Sequence, residues 1–275
     1  MIRRGPVPLL LLVALWLPAD ARTQQSTVTV APGSVVVWQA EGTQTCHRED
    51  RSWPAADGTC YFAVDLLQTG RFEVMMTFSD GRYEQRLLEV GEYPYRVQRI
   101  TLEDDRRVHL SPEDAARAER ESARIAELWK LEGDPRFALP LGSPLERLPD
   151  GGRFGAKRII NGEPRSPHSG RDYAASAGTP VLATADGRVV LAEEHFFAGN
   201  SVFLDHGAGL VSMYFHLSEI LVEAGQTVTR GQALGKVGST GRSTGPHLHF
   251  GIRWRGARVD PALLMASPAT LARLP

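Results

Sequence analysis

Short runs of β-branched and aromatic residues recur through the first third of the chain: 27–30 (TVTV), 34–38 (SVVVW), 61–67 (YFAVDLL) and 72–78 (FEVMMTF). Side chains of this kind pack well on a pleated, half-buried surface, and turn-forming residues bound each run, so each predicts a strand. Asp80 and Gly81 lie between two such runs, which is a strong hairpin signal. Evenly spaced short strands predict an immunoglobulin-like β-sandwich over residues 22–95, and no catalytic constellation falls inside it.

The pattern then changes period. In residues 96–136 a helix is predicted over 112–131, with Ser111 as N-cap, Pro112 at the first helical position and Asp114 completing the cap. Ala118, Ser122, Ile125 and Trp129 recur at helical spacing and give one modestly apolar stripe, and Gly133 and Pro135 end it. Such a helix reads as a connector packed on one of its neighbours. From residue 137 to 275 glycine, proline and short apolar runs return, and 151–261 shows no helical period over a useful length. The fold class is therefore mainly β: a sandwich, a helical connector and a second, antiparallel β domain.

Composition adds little and excludes something. The chain of 275 residues has a formal net charge of −1, so it carries no basic field to recruit nucleic acid or an anionic membrane. Its first residues are expected to lie outside the fold. Arg3 and Arg4 precede a compact apolar run at 9–17 (LLLLVALWL), and Ala19-Asp20-Ala21 supplies a small-x-small cleavage pattern. The run is well short of the ~20 residues that span a membrane. No cysteine near the cleavage point would carry a lipid, so export with cleavage after Ala21 is expected, leaving no membrane anchor. Cys46 and Cys60 fit an oxidising compartment and are expected to form a disulfide across a polar loop. A metal site using Cys46, His47 and Cys60 would want a fourth ligand that is not nearby.

The candidate chemistry is in the histidines. His247-Leu248-His249 alternates, and in a strand both imidazoles then share one face. Such a pair can hold one metal ion, divide metal binding and proton transfer between them, or decorate a wet surface. His168 and Asp172 have H-x3-D spacing, but Pro167 and Gly170 argue against a helix there, so a loop or strand edge must join them. His216 sits within an apolar strand pattern. His206, in DHGAG, reads as a turn residue or a support for the site, and His47, His109 and His195 as surface residues. Gly231, Gly235 and Lys236 (GQALGK) miss the spacing of a phosphate loop, and Val237 replaces its hydroxyl residue.

Several of these stretches fall in one order: HSGRDYAA with GTPVLA and DGRV, then NSVFLDHGAGL with YFHLS, then VTRGQALGKVGSTGRSTGPHLHF. Over residues 153–264 they resemble the M23 (LytM/lysostaphin-type) zinc metallopeptidases. The resemblance implies that His168, Asp172 and His249 bind one Zn²⁺ per chain, and that His216 and His247 are catalytic without being ligands. Two imidazoles and a carboxylate suit zinc and leave a position open for water. No H-E-x-x-H glutamate is present, so histidine, with an ordinary pKa near 6.5, is expected to be the general base. Some family members carry a tyrosine shortly before the first ligand. None occurs in 154–167 here, so Arg165, Arg171 or the two catalytic histidines would take its role at the oxyanion.

The function implied is that of an exported, periplasmic endopeptidase acting on peptidoglycan cross-links of the D-alanyl–diaminopimelate type, as a monomer. Two other classes remain as alternatives: a non-catalytic LytM-type regulator that activates a cell-wall amidase, and a lipoyl- or biotinyl-like carrier suggested by VEAGQTVTRGQALGKV. The retained histidines and the expected export weigh against both. A connector of ~20 helical residues spans about 30 Å, enough to fold the first domain back over the second. A fragment beginning near Phe137 would then be at least as active as the whole; the alternative is that the first domain is a passive spacer or a partner-docking module.

Overall fold

The computed structural model describes residues 27–102 and 105–275; the expected leader and its cleavage site lie outside them. The first unit comprises β1 (Val28–Val30), β2 (Val35–Gln39), β3 (Thr43–Arg48), β4 (Arg51–Pro54), β5 (Thr59–Ala63), β6 (Arg71–Phe78) and β7 (Tyr83–Val90). A five-stranded sheet in the order β1-β7-β6-β3-β4 faces the β2–β5 pair. Asp80 and Gly81 turn β6 into β7, as their sequence predicts, and Arg71↔Glu89 through Thr77↔Tyr83 is an unbroken ladder. Cys46 on β3 and Cys60 on β5 form a disulfide that ties the two sheets together. Both sulfurs are thereby withdrawn from any metal site.

The connector brings β8 (Val97–Ile100) and α1 (Pro112–Glu127), which continues as a 3-10 turn over Leu128–Lys130. Ser111 caps the helix by accepting from the Asp114 amide at 3.1 Å. Its predicted stripe is covered only in part: Ala118 is buried, Ile125 and Trp129 pack half-buried with Leu128 on Phe203, Val211 and Met213, and Ser122 is exposed. Next come β9 (Lys157–Ile160) and β10 (Glu163–Arg165), and β8 joins β9 in parallel to make a three-stranded sheet.

The remaining strands are β11 (Gly170–Ala174), β12 (Pro180–Leu182), β13 (Gly187–His195), β14 (Gly199–Asp205), β15 (Leu210–Ile220), β16 (Thr227–Val228), β17 (Ala233–Val237), β18 (His247–Trp254) and β19 (Ala257–Val259). They form a nine-stranded sheet whose central path runs β11-β18-β15-β14-β13-β16. A short helix α2 (Pro261–Met265) and a last strand β20 (Ala272–Arg273) follow, and β20 returns to pair with β2 of the sandwich. The chain is mainly β, as the pattern of runs predicts.

The two β units share a core. Along β2 the side chains alternate between two apolar clusters. Val36 and Trp38 face the sandwich interior, whereas Val35 and Val37 join Leu210, Tyr214, Phe250 and Leu264 in the core under the large sheet. Ala63 of β5 does the same, and Tyr61 stacks on Trp254 with ring centroids 5.3 Å apart. Asp65 closes the seam with a bidentate pair to Arg258 of β19, at 2.6 and 2.9 Å.

One histidine read as a surface residue is in fact interior. His195 is buried, with Nδ1 2.7 Å from Ser201 Oγ, because the β13–β14 ladder turns it inward. His206 is also buried, bridging Asp186 O and Ser212 Oγ at 2.7 Å each. His109 is exposed.

The shared core changes what truncation should do. A fragment starting at Phe137 lacks β2, β5 and β8 and uncovers the apolar face that Val35, Val37 and Ala63 close. It is now expected to be poorly soluble or to melt well below the full chain, as thermal scanning of both would show. The seam can be tested more gently. Burial pushes the Asp65 carboxyl up, but hydrogen bonds from Arg258 and Leu67 outweigh it and hold Asp65 below the ordinary carboxylate range. The pair therefore stabilises fully above the unfolded carboxylate pKa of about 3.9, and this contribution is lost as pH falls through the folded value. Asp65→Asn is expected to cost about 1–3 kcal/mol at pH 7 by urea unfolding, with the gap to wild type closing in acid. A gap that stays constant with pH would show that the ion pair is not its source.

Candidate metal centre and its cleft

Strand register builds the centre. Asp172 on β11 lies directly opposite His249 on β18. His247, two residues along the same strand, shares the His249 face, while Leu248 between them enters the main core. His168 precedes β11 and is held by its own backbone, which donates to Ala156 O and accepts from Gly155 N. Residues 168, 170 and 172 share a parity along this segment, which is how an H-x3-D pair converges without a helix. The middle position has to be glycine. A Cβ on Gly170 would lie 2.7 Å from His249 Nε2 and 2.6 Å from the Phe250 carbonyl oxygen.

His216 reaches the cleft through a bulge in β15. Asn200 pairs with Leu217 and Val202 with Tyr214, so Phe215 and His216 together oppose Ser201. His216 takes φ +64°, and its amide donates to Ala198 O. An unbroken strand would send these two neighbours to opposite faces; here both line the cleft. Phe215 stacks on the His249 ring at 5.2 Å with only 9° between the planes.

Three side-chain atoms meet in a small triangle. His168 Nε2, Asp172 Oδ1 and His249 Nδ1 are separated by 2.9 Å along each edge. His168, His249 and His216 are 0%, 7% and 8% exposed. Burial lowers the pKa of His168 to about 4 and that of His216 to about 3, and it depresses His249 as well. Asp172, the one carboxylate of the three, faces both imidazoles and carries the negative charge of the site.

These charge states test whether a metal ion fits. His168 Nδ1 donates to the Arg153 carbonyl oxygen at 3.0 Å, so the neutral ring presents a lone pair at Nε2. That lone pair faces Asp172 Oδ1, a second acceptor, at 2.9 Å. One proton on His249 Nδ1 cannot lie between those two atoms. A cation bound by all three would remove the repulsion, so the residues form a possible metal site with a donor set of two nitrogens and one oxygen.

Two more imidazoles border it. His247 Nδ1 donates to Gly245 O at 2.8 Å and His216 Nδ1 to Thr240 O at 2.8 Å, so each also turns a lone pair outward at Nε2. Their ring centroids are 4.8 Å apart, and His247 Nε2 lies 3.7 Å from Asp172 Oδ1. The five side chains singled out in the sequence thus come together around one cavity of about 200 Å³, which all but the fully buried His168 line directly. Arg171 does not join them. Its guanidinium is spent on Asp260 at 2.6 and 2.7 Å and on the Gly151 carbonyl, which removes it as an oxyanion donor. Arg165 bonds the Val108 carbonyl.

Sequence reasoning missed one wall of this cavity. Gln98 and Ile100 from β8, Arg158 and Ile160 from β9, and Arg242 from the loop before β18 all line it. The β-branched pair Ile159-Ile160 was the available strand signal, but nothing local told that β8 would pair with it across some sixty residues.

Residues 166–261 match the model of peptidase family M23. Peptidoglycan DD-endopeptidase ShyA of Vibrio cholerae serotype O1 is 50% identical over 209 residues, covering 72% of this chain and 43% of the relative. DD-carboxypeptidase/endopeptidase Mpg of Neisseria meningitidis serogroup B is 47% identical over 94 residues, covering 34% of this chain and 22% of the relative. The chain spans less than half the length of these curated relatives. A crystal structure from Pseudomonas aeruginosa assigned to peptidase M23 superposes with a TM-score of 0.65 at 31% identity, over 86% of this chain and 94% of that one.

The Gly170 argument yields a test. Gly170→Ala is expected to displace the His249 ring and weaken metal binding at least tenfold, with the far-ultraviolet circular dichroism unchanged. Undiminished affinity, measured by titration against a chelating indicator, would show that the ring is not held there.

Proposed function

The chain belongs to the M23 peptidase family, and from that premise we propose that it is an exported zinc endopeptidase that hydrolyses peptidoglycan cross-links at the D-alanyl–diaminopimelate bond. The observation that carries the reading is the triangle of His168, Asp172 and His249 with two outward-facing imidazole lone pairs beside it. The relatives named DD-endopeptidase support the choice of bond. The disulfide and the apolar leader-like run support an extracytoplasmic, periplasmic setting.

His168, Asp172 and His249 would hold the zinc. When bound, zinc supplies a Lewis acid that makes water more acidic and polarises a carbonyl oxygen. His247 is the general base: Gly245 O occupies its Nδ1–H, so Nε2 can take a proton from the attacking water. The positive charge that then forms lies 3.7 Å from Asp172 Oδ1, which stabilises it. Once protonated, His247 Nε2 can deliver the same proton to the leaving amine nitrogen. His216, buried and held neutral, accepts a hydrogen bond from the water and orients it.

Incubating the zinc-loaded protein with purified cross-linked muropeptides and weighing the products by mass spectrometry tests the reading. Dimers should become two monomers, with one water added in all. His249→Ala is expected to lose zinc and turnover together. His216→Ala and His247→Ala should keep zinc and lose roughly 10²–10⁴-fold in kcat. Stoichiometric zinc in His249→Ala would break the ligand assignment. Zinc binding without any cleavage by the wild type would favour the amidase-activating regulator instead.

A further inference from the structure

The three-stranded wall of the cleft carries charge that the mechanism above does not use. Gln98, Arg158 and Arg165 occupy one cross-strand row of β8, β9 and β10, in register. Two guanidinium groups directly opposite each other repel. Arg158 is largely buried as well, its Nε has no hydrogen-bond partner among the described residues, and neither does Gln98 Oε1 beside it. Asp172 is the carboxylate whose charge reaches Arg158, and it is already committed to the triangle.

A second guanidinium converges on the same cavity from the loop before β18. The Arg242 amide donates to Phe197 O at 2.9 Å and its guanidinium stacks on the Phe197 ring at 4.6 Å, which fixes its direction. Burial, together with the charges of Arg158 and Arg165, pushes its pKa down to about 10. Neither Arg158 nor Arg242 makes an ion pair among the described residues, although Arg153, Arg165 and Arg171 nearby all have polar partners. Ile100 and Ile160 border the row and reduce access of water, which strengthens any charge interaction made there.

Burying uncompensated like charges side by side is costly, and the cost is removed when an anion binds between them. A guanidinium fork matches a carboxylate in shape and can donate to both of its oxygens. We propose that Arg158 and Arg242 form a carboxylate-binding subsite that selects cross-links bearing a free carboxylate on the carbon attached to the scissile amide nitrogen. The proposal rests on the endopeptidase reading above. In a D-alanyl–diaminopimelate link that carbon carries a carboxylate, whereas the interior of a glycine bridge offers none. The placement suits it. Arg158 and Arg242 line the same cavity as Asp172, His216, His247 and His249, so a carboxylate one carbon from the scissile nitrogen can face them.

Two cross-linked muropeptide dimers, identical except that this carboxylate is free in one and a carboxamide in the other, supply the test. The zinc-loaded wild type is expected to favour the free carboxylate by roughly 10- to 100-fold in kcat/KM. Arg158→Gln and Arg242→Gln should each slow the carboxylate dimer alone, bringing the two dimers to within about threefold in the double variant. Arg158→Lys, which keeps the charge without the fork, should fall between and carries the test if the glutamine variant fails to fold. Zinc content should be unchanged throughout. Equal cleavage of both dimers by the wild type, or variants that slow both alike and keep the preference, would overturn the subsite. If the wild type cuts neither dimer, the endopeptidase reading fails. Equilibrium binding of the same pair to the zinc-loaded protein then decides: tighter binding of the carboxylate dimer, lost in Arg158→Gln, upholds the subsite, and equal affinities end it.

Discussion

Asp172 stands directly across the β11–β18 ladder from His249, and the geometry of the centre follows from that register. A slip of one residue would turn both side chains toward the apolar core and bring Tyr173 or Leu248 into the cleft. The register is secured by the same alternation. Leu248, Phe250 and Ile252 are fully buried on one face of β18, so the other face can afford two histidines. With Asp172 and His249 fixed, His168 closes the triangle from the segment before β11. The resulting contact of two acceptors at 2.9 Å is unfavourable by itself and becomes favourable around a cation. The fold thus holds a ligand geometry that its own hydrogen bonds do not satisfy.

The same dependence on long-range pairing explains why the N-terminal half is not an appendage. β2 serves two interiors at once, and β20, from the far end of the chain, pairs with it. β8 walls the cleft only because it pairs with β9, and Asn161 holds the end of that wall by bonding both the amide and the carbonyl of Leu102. Meanwhile α1 packs on the outer side of β14 and β15, against Phe203, Val211 and Met213, and leaves the cleft to the strands. The sandwich, the connector and the large sheet therefore contribute to one site through packing, although each reads in sequence as a separate element.

Local chemistry is what the sequence made legible. The His247-Leu248-His249 alternation, the Asp80-Gly81 turn, the Ser111 cap and the Cys46–Cys60 pair each depend on residues close in the chain, and each is found as read. The order of motifs from HSGRDYAA to GPHLHF supplied the rest of the histidine cluster. What stayed hidden depends on partners far away. His195 lies in a polar stretch and looks exposed until the β13–β14 ladder turns it toward Ser201. Arg158 and Arg165 are an unremarkable pair of basic residues until β9 and β10 fold them opposite each other. The bulge that places Phe215 and His216 side by side has no glycine or proline to announce it, because His216 itself takes the left-handed backbone.

That bulge belongs to a wider arrangement. His168, His216 and His247 each give their Nδ1–H to a main-chain carbonyl, those of Arg153, Thr240 and Gly245. A carbonyl accepts at any pH, so these tautomers are set by the fold and do not change when a neighbouring group titrates. The device has a conformational cost. Arg153 sits at φ +76° and His216 at φ +64°, and a non-glycine residue in that region costs on the order of 1–3 kcal/mol. Surrounding structure holds both in place: the Gly155 amide grips His168 just beyond Arg153, while Tyr214 and Leu217, both fully buried, anchor the strand on either side of His216. The strain falls at the points where an imidazole must be aimed. Rigid neighbours offset it, and the result is that the Nε2 atoms of His216 and His247 turn their lone pairs outward whether or not anything is bound.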